Sequence, residues 1–330
     1  MRAVVITRPG GPEVLDIQQV EQPRPRLSEV LVKVRASALN RADVLQRQGR
    51  YPAPPGAPQN IPGLEFAGEI AALGGGATRW RAGQRVFGIT AGGGHAEYAT
   101  SHERMLAEIP GNLSWSQAAA VPEAFITAHD ALWRQAGLAE KETVLIHAAG
   151  SGVGLAAIQL ARAKSAIPYG TSRTAEKLSR AREYGLEDGV AVADDLRPLA
   201  QKIQQWTQGA GVNVVLDLLG GNYFAADLEV LAQQGRLLLV GTVAGVKTEI
   251  TLGIILRKRL KIIGTVLRGR SLEEKIAATE AFSSDILPLL AKGALRPVID
   301  REFALSDVRQ AHQRMESNES FGKIILRIAD

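Results

Sequence analysis

His147-Ala148-Ala149-Gly150-Ser151-Gly152-Val153-Gly154 follows the apolar run Val144-Leu145-Ile146 and leads into a helical stretch that reaches Lys164. Small residues at a strand-to-helix turn let the backbone pass close to a pyrophosphate. The helix beyond it then offers free N–H groups and the positive end of its dipole. Against the pattern G-x-G-x-x-G, Ala149 stands at the first glycine, Ser151 at the second and Gly154 at the third. Gly150, Ser151, Gly152, Val153 and Gly154 are therefore the candidate phosphate-loop residues. The bland alternative is an ordinary strand–helix turn, so the reading rests on what surrounds the segment. A nucleophile elbow is excluded, because it needs glycines two residues either side of the serine. Ser151 has Ala149 and Val153 there.

Downstream, short apolar runs alternate with helical stretches. Strands are expected at Ala166 to Gly170, Val190 to Ala193, Val214 to Leu218, Leu237 to Val240 and Leu260 to Ile263. Helices are expected at Ala175 to Tyr184, Leu199 to Trp206 and Ala225 to Leu231. Short apolar strands separated by helices imply a parallel sheet covered on both faces, the α/β class. Upstream the texture differs. Runs at Val30 to Val34, Phe66 to Ile70, Val86 to Ile89 and Ala96 to Thr100 are punctuated by Pro and Gly clusters, which predicts a compact, mostly β domain. The carboxyl-terminal part reads as helices at Glu273 to Lys292 and Ser306 to Glu316, with a strand at Lys323 to Ile328.

The tip of the second strand of the α/β region tells which dinucleotide fits. An NAD site carries an Asp or Glu there, about 20 residues beyond the glycines, to hold the ribose 2′-hydroxyl. Gly170-Thr171-Ser172-Arg173-Thr174 has no acid. Arg173 stands where a 2′-phosphate would lie, Lys177 follows one helical turn later, and Ser172 and Thr174 add hydroxyls. Cations and hydroxyls around one point make a phosphate site, so NADPH is the expected cofactor. The alternative is a helix capped by Ser172 or Thr174 beside solvated cations. Val240-Gly241, at another strand's carboxyl end, is where an open α/β sheet exposes ligand-binding backbone.

At 330 residues the chain exceeds what one core usually serves, which points to two domains. Its 45% hydrophobic and 22% charged content is ordinary for a globular protein. The net charge of +5 is spread out; Arg257-Lys258-Arg259 with Lys261 is too short a cluster to imply nucleic acid or membrane work. There is no cysteine, which excludes disulfides, thiol catalysis and cysteine zinc sites, and fits a reducing compartment. No apolar run is long enough to cross a bilayer, and Ala3-Val4-Val5-Ile6 reads as a first strand, too short for a signal peptide. The cytoplasm is the expected location.

Several segments together carry a family resemblance. They are Ala38-Leu39-Asn40-Arg41-Ala42-Asp43, Ile61-Pro62-Gly63-Leu64-Glu65-Phe66-Ala67-Gly68, Ala82-Gly83-Gln84-Arg85-Val86, the His147 to Gly154 loop, Gly209-Ala210-Gly211-Val212, Asp217 before Gly220-Gly221, Ala311-His312 and Gly322-Lys323-Ile324. Across essentially its whole length the chain resembles the zinc-free quinone oxidoreductase branch of the medium-chain dehydrogenase/reductase superfamily. Ser151 to Gly154, and Gln46 to Gly49 before Tyr51, are similar to the subgroup of the stress-inducible quinone reductase. The resemblance implies a GroES-like catalytic domain from residues 1–122 and 266–330, and a Rossmann NADPH-binding domain from 123–265, with the cofactor in the cleft. It implies Asn40 and Tyr51 on the substrate side, with Arg268 approaching it from the returning segment, and Thr127 at the nicotinamide. Each has a structural alternative: Asn40 holding a turn, Tyr51 on a loose Pro-rich loop, Arg268 on the cofactor's phosphates, Thr127 packing inside a helix. It also implies a homodimer, or a tetramer of dimers, joined through the strand near Leu260 to Gly264.

Zinc-dependent members of this superfamily use two Cys and a His in Gly-His-Glu; here the segment is Gly63-Leu64-Glu65. The five histidines (His95, His102, His129, His147, His312) show no metal-ligand spacing, so no metal site is expected. An acceptor that takes hydride without a Lewis acid then suits the site, and quinones do. A reduced quinone can take its proton from water, so a general acid is not required of the sequence. Reduction of an enone or enoyl thioester on the same fold is the nearest alternative. A third possibility is an RNA-binding protein that keeps NADPH as a structural ligand. The chain lacks the aromatic–basic platform that single-stranded RNA needs, so nucleic acid is not an expected partner.

Overall fold

The structure is a computed structural model describing residues 1–192 and 195–328. It divides into two compact units, Met1–Ile126 with Leu267–Asp330, and Thr127–Val266.

The unit Thr127–Val266 is built on six parallel strands: Thr143–Ile146, Ile167–Ser172, Asp188–Ala191, Val212–Asp217, Leu231–Leu239 and Lys261–Gly264. Numbered along the chain, they lie in the spatial order 3-2-1-4-5-6. This is the Rossmann order, and its direction reverses between the first and fourth strands, where such sheets open a crevice for a ligand. The strands read as unbroken apolar runs because helices cover both faces; Leu145, Val215 and Leu237 have no exposed surface. The second strand runs on to Ser172, past the expected end at Gly170. The fifth starts at Leu231, upstream of the expected Leu237, because its early part pairs with Val212 before an irregularity in register. Gln234, at φ 58°, turns the chain there. The third occupies Asp188–Ala191; Ala193, the expected end, lies outside the described residues.

The other unit joins both ends of the chain in a seven-stranded sheet. Its path runs Ile299–Ala304, Lys323–Arg327, Glu29–Ala38, Glu65–Leu73, Arg85–Ile89 and Leu106–Glu108, with Tyr98–His102 paired to Glu29–Ala38. Lys323–Arg327 thus lies antiparallel beside Glu29–Ala38, which brings the carboxyl-terminal strand into the amino-terminal sheet. Val32, Phe66, Val86 and Ile324 are fully buried in its core. The strand expected at Ala96 to Thr100 is displaced to Tyr98–His102 by the register with Glu29–Lys33. The single helix expected over Glu273 to Lys292 is two helices, Leu272–Asp285 and Leu287–Ala291. Pro288 has no N–H to continue the ladder and its ring crowds the preceding turn, so the chain breaks at Ile286 and restarts. Among the described residues no helix is long and apolar enough to cross a membrane.

Candidate active site

In the unit of both chain ends, a polar cluster forms where three segments distant in sequence meet. Asn40 ends the stretch after the strand Glu29–Ala38, and its backbone N–H donates to Asp43 Oδ2 at 2.7 Å, which starts the helix Arg41–Arg47. Glu65, the first residue of its strand, is fully buried. Its Oε1 accepts from Lys323 Nζ at 2.6 Å and from Asn40 Nδ2 at 2.8 Å. Lys323 also donates to Asn40 Oδ1 at 2.7 Å and to the Leu39 carbonyl at 2.9 Å. A carboxylate and an ammonium removed from water need this density of partners, or their burial would cost several kcal/mol.

Asp43 is sealed beneath this cluster and also accepts from Gly63 N–H at 2.9 Å. Burial alone would raise its pKa. His95, whose Nε2 stands 3.7 Å away, and the N–H groups of Asn40 and Gly63 overcome that and bring it down to about 2. Gly63 itself sits at φ 104°, and a Cβ there would collide with the backbone of His95. The adjoining Leu64 is buried.

Arg268 is held by the carbonyls of Ala91 (2.9 Å) and Tyr51 (3.4 Å) and by Gln46 Oε1 at 2.7 Å. Its guanidinium lies over the Tyr51 ring, 5.2 Å from the centroid. The Tyr51 hydroxyl is pushed up by burial, against the pull of Arg268 and with the push of Glu123. The structure therefore brings Asn40, Tyr51 and Arg268 into one unit, but in different roles. Asn40 is committed to Glu65 and Lys323, Arg268 is locked by neutral acceptors, and Tyr51 is part-exposed beside it.

In the Rossmann unit, Ser151 caps the helix Gly152–Ala163, its Oγ accepting from Gly154 N–H at 3.0 Å. Ala148 takes a left-handed φ of 50°, and a Cβ at Gly154 would strike its carbonyl oxygen. This is the close loop–helix packing that requires the last glycine of a dinucleotide turn. Gly150, Gly152 and Val153 complete the turn at the carboxyl edge of the sheet. Ser172 ends the neighbouring strand, Arg173 is exposed beyond it, and Thr174 caps the next helix by accepting from Lys177 N–H at 3.4 Å. Val240 and Gly241 follow the strand Leu231–Leu239, and Gly241 has no room for a side chain against the Leu218 carbonyl. Thr127 is the first residue of this unit, part-buried in the helix Pro122–His129. The capped glycine-rich turn and the exposed Arg173 thus lie at the carboxyl ends of neighbouring strands of one sheet.

His147, Asp217 and Asp227 form a buried group behind the loop. It does not suit a catalytic zinc: His147 Nδ1 meets Thr171 Oγ1 at 2.8 Å and Nε2 meets Asp227 Oδ1 at 2.7 Å, so neither ring nitrogen is open. In the other unit Leu64, which the family resemblance aligns with a zinc-binding histidine, is buried and offers no donor.

Glu65, Lys323 and Glu123 were not singled out as site residues from the sequence. The available signal was a charge inside an apolar run, as in Pro122-Glu123-Ala124-Phe125-Ile126, since such residues are rarely buried without a partner.

A Rossmann unit inserted into a unit formed by both chain ends, one with a glycine-rich strand–helix turn and the other with a polar cluster, defines the medium-chain dehydrogenase/reductase class. Residues 26–129 match the alcohol dehydrogenase GroES-like domain, and residues 189–326 match a family described as zinc-binding dehydrogenase. The quinone oxidoreductase of Lama guanicoe is 34% identical over 99% of this chain and 97% of its own. That of Pseudomonas aeruginosa is 32% identical over 96% of each. The Escherichia coli quinone oxidoreductase, solved with NADPH, superposes with a TM-score of 0.89 at 28% identity, covering 99% of this chain and 100% of the other. The chain belongs to the quinone oxidoreductase branch of that superfamily.

Proposed function

We propose that this protein is an NADPH-dependent quinone oxidoreductase that works without a metal. The observation that carries the reading is the match to quinone oxidoreductases over the whole length of both chains, one of which is solved with NADPH. When bound, NADPH supplies the hydride. Gly150 to Gly154, Val240 and Gly241 hold its diphosphate, Arg173 and Lys177 with Ser172 and Thr174 hold the 2′-phosphate, and Thr127 meets the nicotinamide. Tyr51 positions the acceptor by its hydroxyl, and Arg268 lends positive charge where the reduced oxygen becomes negative. Asn40 acts through Glu65 and Lys323, holding the floor of the cluster rigid. Against zinc, despite the zinc-dehydrogenase family match, the chain has no cysteine and carries Leu64 where the resemblance implies a zinc-binding histidine.

The protein's place is the cytoplasm, consistent with a chain that has no cysteine. Its assembly is a homodimer or a tetramer of dimers, supported by the apolar sheet edge at Lys261–Gly264. NADPH oxidation measured against a panel of quinones and enones tests the function. Quinone turnover that exceeds enone turnover is the expected outcome; the reverse order replaces the reading with an enone or enoyl reductase.

A further inference from the structure

Glu123 has no part in the reaction so far described, yet it stands among the groups that do. It is the second residue of the helix Pro122–His129, and its backbone N–H donates to Glu65 Oε2 at 2.8 Å. The main chain of Glu123 is thereby held against the Glu65 carboxyl. The start of a helix ordinarily favours an anion, but here Glu65 already takes that N–H. The charges that reach Glu123 are those of Glu65 and Asp43 against Lys323 and Arg268, and Tyr51 also feels it. Lys323 is bound to Glu65, Asn40 and the Leu39 carbonyl, and Arg268 to Gln46 and the carbonyls of Ala91 and Tyr51. Both cations that reach Glu123 are thus already committed to other partners, and two sealed carboxyl groups stand near it. Burial first, and then the Glu65 charge, push the Glu123 carboxyl up to about 8. Of the three carboxyl residues, Glu65 and Asp43 are fully buried, and Glu123 is half-buried.

We propose that Glu123 is the proton donor of the reaction, its carboxylic acid serving the acceptor oxygen beside Tyr51 and Arg268. This rests on the quinone reductase reading. The quinone gains two electrons and one proton as hydride from bound NADPH, and its second proton from Glu123. The acid's O–H bond breaks as the hydroquinone O–H forms, leaving a carboxylate that recovers its proton from water. No further oxidant or reductant is needed. A neutral acid beside Arg268 also avoids a repulsive charge facing the developing phenolate.

The test joins infrared spectroscopy of the cofactor-free protein with steady-state kinetics. The wild type should show a protonated-carboxyl band that titrates near pH 8, absent from Glu123→Gln and kept, shifted, in Glu123→Asp. With a quinone, wild-type kcat should fall as pH rises through that range. Glu123→Gln should lose roughly 10²-fold or more in kcat at neutral pH, lose the alkaline fall, and keep the NADPH KM; Glu123→Asp should recover part of the rate. A Glu123 carboxyl already ionised at neutral pH overturns the proposal, and that measurement needs only the wild type and Glu123→Asp. An active wild type whose Glu123→Gln variant keeps both rate and alkaline limb overturns the role of Glu123 alone. A wild type with no quinone turnover overturns the functional reading and the proposal together.

Discussion

Arg173 and Asp43 show how far single side chains account for this protein's selectivity and stability. Arg173 is exposed at a strand tip that carries no acid, so its partner in the proposed complex is a phosphate present in NADPH and missing from NADH. A charge-assisted contact of this kind contributes about 1.5–3 kcal/mol, roughly ten- to hundredfold in affinity. Arg173→Ala should raise the Kd for NADPH by that factor and leave NADH binding nearly unchanged, as titration calorimetry with each cofactor will show. Lys177→Ala should do the same more weakly, since an ammonium is less directional than a guanidinium. Asp43 has its acidity set by His95 and two N–H groups against burial, and its pKa lies at about 2, below the ordinary 3.8. That depression contributes on the order of 2 kcal/mol, fully present above pH ~4 and lost as pH falls through about 2. Urea unfolding at neutral and acid pH should show the loss, and Asp43→Asn should be destabilised at neutral pH and flatter in acid.

Among the elements, the strand Lys261–Gly264 carries the clearest consequence. It closes one side of the six-stranded sheet, with one partner strand, and Ile262 on it is 38% exposed. An open apolar edge invites pairing with another chain, and proteins cover or charge such edges. In the proposed dimer the edge meets its copy. Light scattering at micromolar concentration should give at least twice the mass of one chain, and Ile262→Lys should shift it toward the monomer while the far-ultraviolet dichroism is retained. A wild-type monomer would remove the dimer from the functional reading. The break at Ile286 is the opposite lesson. Leu272–Asp285 and Leu287–Ala291 look continuous by composition, yet one missing N–H at Pro288 divides them.

For the whole molecule, stability and metal content follow from what is buried. His147 is sealed in the Rossmann unit, 2.7 Å from Asp227, with Asp217 nearby. Burial works against its charged form, but Asp227 and Asp217 outweigh it and raise its pKa above 6.5, while burial lifts the Asp227 carboxyl to about 6. A raised value means stability that is full below pH ~6.5 and lost as pH climbs through the folded-state value. Thermal melts should therefore show falling stability on the alkaline side of neutrality, and Asp227→Asn should be less stable at pH 6 with a shallower decline. Metal analysis of the purified protein should find far less than one equivalent of zinc, and chelators should leave quinone turnover intact. A stoichiometric zinc required for turnover would contradict the proposed mechanism.

The sequence by itself determined the parts whose cause is local. Alternating apolar runs and helical stretches specified the α/β unit, and the Ala149 to Gly154 segment specified its capped strand–helix turn, because backbone approach and helix capping depend on residues a few positions apart. The acid-free tip at Ser172-Arg173-Thr174 indicated NADPH for the same reason. Asn40, Tyr51 and Arg268 were reached through family resemblance, and their distinct surroundings were not visible in it. Only the tertiary structure decided those. Glu65 meets Lys323 across 258 residues, and Glu123 meets Glu65 across 58. Protonation and pairing in a buried cluster depend on the sum of charges within a few ångströms, and chain folding, not spacing along the sequence, brings those charges together.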